Sequence, residues 1–154
     1  MTERQTIGGL LEAARSRLER LEPAAALAAM GTGALLVDTR CAELRQADGI
    51  IPGSVHAPLS VLYWRLEPTS ESRDPAMADP DRQVILVCAH GYSSSLAAAS
   101  LHDLGYPRAT DVVGGFEAWA AAGLPTAPVP GESRGAEPPL SSESGPKRRL
   151  RDRA

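Results

Sequence analysis

Cys88 ends an apolar run, VILV at 84–87, and is followed by Ala89, His90, Gly91, Tyr92 and then three serines, Ser93, Ser94 and Ser95. A cysteine in that setting offers thiolate chemistry, because the anion is the nucleophile and the protonated thiol is not. An ordinary thiol, with a pKa near ~8.5, is mostly protonated at neutral pH, so something nearby must favour the anion. The spacing supplies two candidates: the backbone N–H groups of Ala89 to Ser94, curled around the sulfur, and the N-terminus of the helix spelled by 96–104 and stopped by Gly105. Gly91 permits the curl because glycine adopts positive φ. The three serines are candidate helix caps, with hydrogen bonding to a substrate as an added role. His90, a solvent-facing loop residue, is the one side chain of the loop that titrates near neutrality. Tyr92 is expected at the loop rim. The alternative for Cys88 is an inert core thiol at a strand end.

An exposed edge for that thiol requires 84–87 to be a strand buried on both faces, since open α/β sheets bind ligands where their strands end. The rest of the chain supplies the companions. A strand at 34–37 delivers Asp38, Thr39, Arg40 and Cys41 to the same edge, followed by a short helix at 42–46 and a Gly-Ile-Ile-Pro-Gly turn at 49–53. A short strand at 54–56 and a helix at 59–66, with Trp64 and Leu66 inward, come next. The polar segment 68–82 reads as a surface loop. A strand at 109–113, a Gly114-Gly115 turn and a helix at 116–122 complete the pattern. Alternating strands and helices predict an α/β fold: a small, mostly parallel sheet with helices on both faces. An amphipathic helix over 6–21 precedes it, where Ile7, Leu10, Leu11, Ala14, Leu18 and Leu21 share one face. The organisation expected is an N-terminal extension at 1–21, a domain at 22–125 and a disordered polar tail at 126–154 with a basic end, KRRLRDR at 147–153.

Composition excludes several classes of function. A chain of 154 residues, 43% hydrophobic, supports one core, and a net charge of −3 does not describe a nucleic-acid binder. No apolar run approaches the ~20 residues of a membrane span, and the N-terminus lacks a signal-peptide core, so a cytoplasmic protein is expected. Its two cysteines then read as free thiols, too few for a zinc site, and neither a metal nor a cofactor is expected. His56 and His102 read as packing or surface residues.

Four segments, LLVDTR at 35–40, GIIPGSVHAP at 49–58, VILVCAHGYSSS at 84–95 and VVGGFEAW at 112–119, resemble the rhodanese family in order and spacing, across nearly the whole of 23–125. The loop pattern CxxGYxSS is similar to that of a bacterial single-domain subgroup. The resemblance implies a sulfurtransferase in which Cys88 carries sulfane sulfur as a persulfide, taken from a small donor such as thiosulfate and passed to cyanide or a thiol, including a protein thiol. It also implies a substrate-binding loop of Ala89, His90, Gly91, Tyr92, Ser93 and Ser94, braced by Asp38 and Arg40.

Two departures from the family pattern have chemical consequences. Ser93 stands where many members carry an arginine, and Ile50 where many carry a histidine, so the loop has no permanent cation and capture of the thiosulfate dianion should weaken. Arg40, Arg45 and Arg65 are the candidates to supply the charge from outside. The phosphatase relatives need a longer loop closed by arginine; Ser94 occupies that place, which disfavours phosphate or arsenate chemistry. Cys41, on the same sheet edge, is a candidate resolving thiol that would attack a persulfide or form a disulfide. The competing class is a non-catalytic rhodanese-like module that binds a partner or senses redox state.

Overall fold

Strands β1 (Leu35–Asp38) and β3 (Val84–Val87) run side by side in parallel at the centre of the computed structural model, which describes residues 3–131. Every residue of both strands is buried. That double burial explains the apolar runs at 35–37 and 84–87, since neither face meets water. Strand β2 (Val55–His56) pairs with β1 and strand β4 (Thr110–Asp111) with β3, all parallel, giving the order β2-β1-β3-β4.

Side chains alternate across the sheet and so build two cores. On one face Leu35, Val37, Val84 and Leu86 meet Leu62 and Leu66 of α4 (Leu62–Leu66) and Ala97, Ala98 and Leu101 of α5 (Ser93–Asp103). On the other, Leu36, Ile85 and Val87 meet Ala26 of α2 (Pro23–Gly31) and Phe116 and Trp119 of α6 (Gly115–Ala121). The expected α/β sheet with helices on both faces is the architecture found. A further short helix, α3 (Ala42–Asp48), follows β1 at the sheet's carboxyl edge.

The N-terminal segment departs from expectation in a way that matters for the site. Helix α1 (Ile7–Ser16), capped by the Thr6 hydroxyl on the Gly9 N–H at 3.0 Å, packs on α5 but ends well before residue 21. The chain then becomes extended. Leu21 N–H donates to the Asp111 carbonyl at 3.0 Å and Val113 N–H to the Leu21 carbonyl at 2.9 Å, a parallel bridge along the outer edge of β4. The competing demand is that edge: its unpaired backbone groups require partners, and 17–21 provides them instead of another helical turn.

Three smaller corrections follow from packing. Trp64 points outward, 58% exposed, because α4 starts at Leu62 and turns Leu62 and Leu66, one helical turn apart, into the core. Helix α5 begins at Ser93 with Tyr92 at the cap position, so the serines form its first turn rather than its cap. The chain also stays attached beyond 125, where Ala127 exchanges backbone hydrogen bonds with Ile50 at 2.8 and 2.9 Å. Residues 132–154, with the basic run at 147–153, lie outside the described residues. Among the described residues no helix is long and apolar enough to cross a membrane.

Candidate active site

Cys88 is the first residue beyond the central strand β3 and is 6% exposed. The Gly91 N–H donates to its Sγ at 3.1 Å, and the thiol in turn donates to Ser94 Oγ at 3.2 Å. Burial pushes the Cys88 thiol up. Hydrogen bonds from the Ser94 hydroxyl and N–H, the Ser93 hydroxyl and the Gly91 N–H together outweigh it and hold the thiol below its ordinary value. Because a lowered pKa moves deprotonation to lower pH, thiolate absorbance of a Cys41→Ser protein titrated against pH is expected to have its midpoint below the ~8.5 of a free cysteine. A midpoint at or above that value would mean that burial dominates.

The loop is held from beneath by the start of α6. Phe116 N–H donates to the Cys88 carbonyl at 2.8 Å and Glu117 N–H to the Ala89 carbonyl at 3.1 Å. No peptide among the described residues is cis, so each carbonyl fixed outward directs the next N–H the opposite way, here those of Ala89 and His90. This contact depends on two glycines. Gly115 has φ +64°, and a Cβ on it would fall 2.5 Å from the Cys88 carbonyl oxygen. Gly91 has φ +82°, and its Cβ would fall 2.7 Å from the Gly114 nitrogen.

From the other side the loop is held by the N-terminal segment. Arg15 and Arg20 both donate to the Gly91 carbonyl, at 2.8 and 3.1 Å. Arg20 also forms a two-pronged pair with Asp111, Nε to Oδ1 at 2.8 Å and Nη2 to Oδ2 at 3.2 Å. Asp111 is completely buried, and its Oδ2 accepts from the hydroxyls of Ser94 at 2.7 Å and Ser95 at 2.8 Å. Arg15 Nε donates to Ser95 Oγ at 3.2 Å. A continuous chain therefore runs from Arg20 through Asp111 and Ser94 to the sulfur.

The residues singled out in the sequence separate into two groups. Ala89, His90, Gly91, Tyr92, Ser93 and Ser94 do form the loop and first helical turn that follow Cys88. His90 Nδ1 lies 2.6 Å from Glu117 Oε2 on the surface, and Tyr92 is exposed at the rim with the Arg15 guanidinium 5.6 Å from its ring centre. Asp38 and Arg40 form a buried brace: Arg40 contacts Asp38 at 3.0 and 2.8 Å, donates to the Gly49 carbonyl at 2.8 Å and stacks on Phe116 at 3.9 Å. Arg45 joins the same carboxylate at 3.2 Å.

None of the three proposed cations hydrogen-bonds to the loop. Arg40 bonds Asp38 and the Gly49 carbonyl and leaves its buried Nη1 without a partner among the described residues, Arg45 bonds Asp38, and Arg65 donates to the Ser72 carbonyl at 2.9 Å within the 68–82 segment. The arginines that bond the loop are Arg15 and Arg20, from the N-terminal segment and outside the expected candidates. The signal that was present is Asp111: a carboxylate inside a buried strand, Thr-Asp-Val-Val, demands a cationic or hydrogen-bonding partner from elsewhere in the chain. Cys41 is exposed and free, His56 Nε2 lies 2.8 Å from the Arg40 carbonyl, and His102 Nε2 lies 2.7 Å from the Ala109 carbonyl.

The arrangement can stabilise an anionic sulfur with backbone and hydroxyl donors. Residues 22–122 match the family model of the rhodanese-like domain. The thiosulfate sulfurtransferase GlpE of Pseudomonas savastanoi pv. phaseolicola is 39% identical over 106 residues, 69% of this chain and 91% of that protein. A sulfurtransferase of Allochromatium vinosum is 36% identical over 92 residues, 59% of this chain and 76% of that protein. Among solved structures, a Rhodopseudomonas palustris protein described as of unknown function, "Possible Tyrosine Phosphatase", superposes with a TM-score of 0.74 at 32% identity, covering 82% of this chain and 98% of that one. A Wolinella succinogenes polysulfide-sulfur transferase shares the fold, with a TM-score of 0.60 at 23% identity over 82% of this chain and 88% of that one.

Proposed function

The chain belongs to the rhodanese-like domain family and is a sulfurtransferase, and we propose that it moves sulfane sulfur through a persulfide on Cys88. The observation that carries this reading is the sulfur's own environment: a thiol at a sheet edge, receiving the Gly91 N–H and lowered by Ser93 and Ser94 hydroxyls. In the first half-reaction the Cys88 thiolate attacks the outer sulfur of a donor such as thiosulfate. The donor's S–S bond breaks, sulfite leaves with the electron pair, and Cys88 holds a persulfide anion in the same cradle. In the second, cyanide or an acceptor thiolate attacks the outer sulfur. The Cys88 S–S bond breaks, thiocyanate or a new persulfide departs, and the thiolate returns. Neither half needs a general acid, because both leaving groups are stable anions. A cytoplasmic setting, where thiols stay reduced, fits the two free cysteines.

The loop offers no arginine to a dianion, so donor capture rests on N–H groups and the helix start, and thiosulfate is expected to bind weakly. Phosphate-ester chemistry fits less well. Closing a loop on phosphate calls for an arginine where Ser94 stands, and Ser94 is already committed to Cys88 and Asp111. Incubation with thiosulfate and cyanide is therefore expected to release thiocyanate catalytically, while a generic aryl phosphate stays intact. Cys88-dependent hydrolysis of the phosphate with no thiocyanate formed would reverse the assignment.

A further inference from the structure

A buried carboxylate close to a thiolate is an electrostatic liability, because a like charge in a low-dielectric setting disfavours the anion. Asp111 stands in that position, joined to the sulfur through a single hydroxyl. Ser94 has one proton to donate. With Cys88 as a thiol that proton points to Asp111 Oδ2 at 2.7 Å, and the thiol's own hydrogen points to Ser94 Oγ at 3.2 Å. With Cys88 as a thiolate or persulfide anion, the sulfur has lost its hydrogen and needs a donor, and the hydroxyl 3.2 Å away is that of Ser94, whose proton is directed at Asp111. It can turn to the sulfur only if Asp111 remains satisfied without it.

Arg20 satisfies Asp111 when the serine turns away. Its fork occupies both carboxylate oxygens, Ser95 retains a hydrogen bond to Oδ2, and the guanidinium is only 17% exposed, so solvent screens the pair little. The position of Arg20 is dictated by the backbone next to it, since Leu21 is stitched between Asp111 and Val113. The other charged groups around the loop are engaged elsewhere: His90 with Glu117, Arg40 and Arg45 with Asp38, and Arg15 with the Gly91 carbonyl and Ser95. We infer that Arg20, supplied by the N-terminal segment, is a positioning residue that neutralises Asp111 and so frees the Ser94 hydroxyl to stabilise the Cys88 anion. The inference rests on the sulfur-carrying reading of Cys88, but its test needs no donor.

The test is a titration of Cys88 in a Cys41→Ser background, followed by thiolate absorbance on folded protein, with near-ultraviolet circular dichroism as the folding control. Arg20→Met leaves Asp111 uncompensated and is expected to raise the midpoint by about one pH unit, with iodoacetamide reacting roughly ten-fold more slowly below the midpoint. Asp111→Asn keeps the cation and gives Ser94 an amide donor, so its midpoint is expected to fall by a similar amount. The double variant, with neither charge buried, should return close to the parent. Arg20→Met leaves a buried charge unpaired; if it does not fold, Asp111→Asn and the double variant decide the matter between them. An Arg20→Met or Asp111→Asn midpoint that coincides with the parent would reduce the Arg20–Asp111 pair to a structural tie. If thiocyanate fails to form while the midpoints move as stated, the sulfur-transfer reading falls and the role of Arg20 stands.

Discussion

Replacing Cys88 with serine is expected to reduce sulfur transfer to background, a loss of at least ~10³-fold or about 4 kcal/mol of transition-state stabilisation, while leaving the fold intact. The substitution is close to isosteric. A serine Oγ at this position still accepts from the Gly91 N–H and donates to Ser94, so the loop keeps its hydrogen bonds and the nearly closed site keeps its volume. What disappears is the capacity to hold an extra sulfur atom. An alkoxide is not accessible at neutral pH and forms no stable bond to sulfane sulfur, so both halves of the cycle stop. The readouts are thiocyanate formation under saturating cyanide and a thermal melt beside the parent. Retained turnover with an unchanged melt would move the chemistry away from Cys88 altogether, with Cys41 the remaining thiol.

The second large effect is expected at Gly115→Ala. Its φ of +64° lies where an L-residue is strained, and the new Cβ would meet the Cys88 carbonyl oxygen at 2.5 Å and the Ala89 carbonyl carbon at 2.8 Å. These are backbone atoms, and they cannot swing aside as a side chain would. Relief requires the start of α6 to move off the loop, which stretches the Phe116 and Glu117 N–H bonds to the Cys88 and Ala89 carbonyls. Backbone strain and overpacking together should cost roughly 2–4 kcal/mol. In a domain of this size that lowers Tm by on the order of 10 °C. Sulfur transfer should fall further than stability does when assayed well below the melt, because the displaced carbonyls carry the Ala89 and His90 N–H groups with them. A melt within a degree or two of the parent would show that the turn is not under the constraint described.

How much of this was legible in the sequence depended on how local each cause was. The strands around 35–38 and 84–87 were readable because double burial forces a continuous apolar run, and the thiol's position followed from where the second run ends. The Asp38 and Arg40 brace was implied by the family resemblance, and two opposite charges two residues apart at a strand end fit the ion pair found. The serines were placed in the wrong part of their helix because caps and first-turn positions favour the same residues, and only the partner, buried Asp111, decides between them. Trp64 was turned the wrong way by a helix start drawn at 59 rather than at Leu62. The loop's cations were missed for a different reason. Arg15 and Arg20 reach a residue more than seventy positions away, and the pairing of Leu21 with the edge of β4 that brings Arg20 there is made by backbone groups that every residue carries. Nothing in side-chain pattern announces such a pairing.

The central claim, that sulfur travels on Cys88, is tested most directly by mass spectrometry of the intact protein and its Cys88 peptide after brief exposure to thiosulfate and removal of the excess. The expected result is a gain of one sulfur atom per chain, localised to Cys88, absent in Cys88→Ser and discharged by cyanide as one equivalent of thiocyanate. A Cys88 peptide that stays at its unmodified mass, under conditions that load the thiosulfate sulfurtransferase relatives, would contradict it.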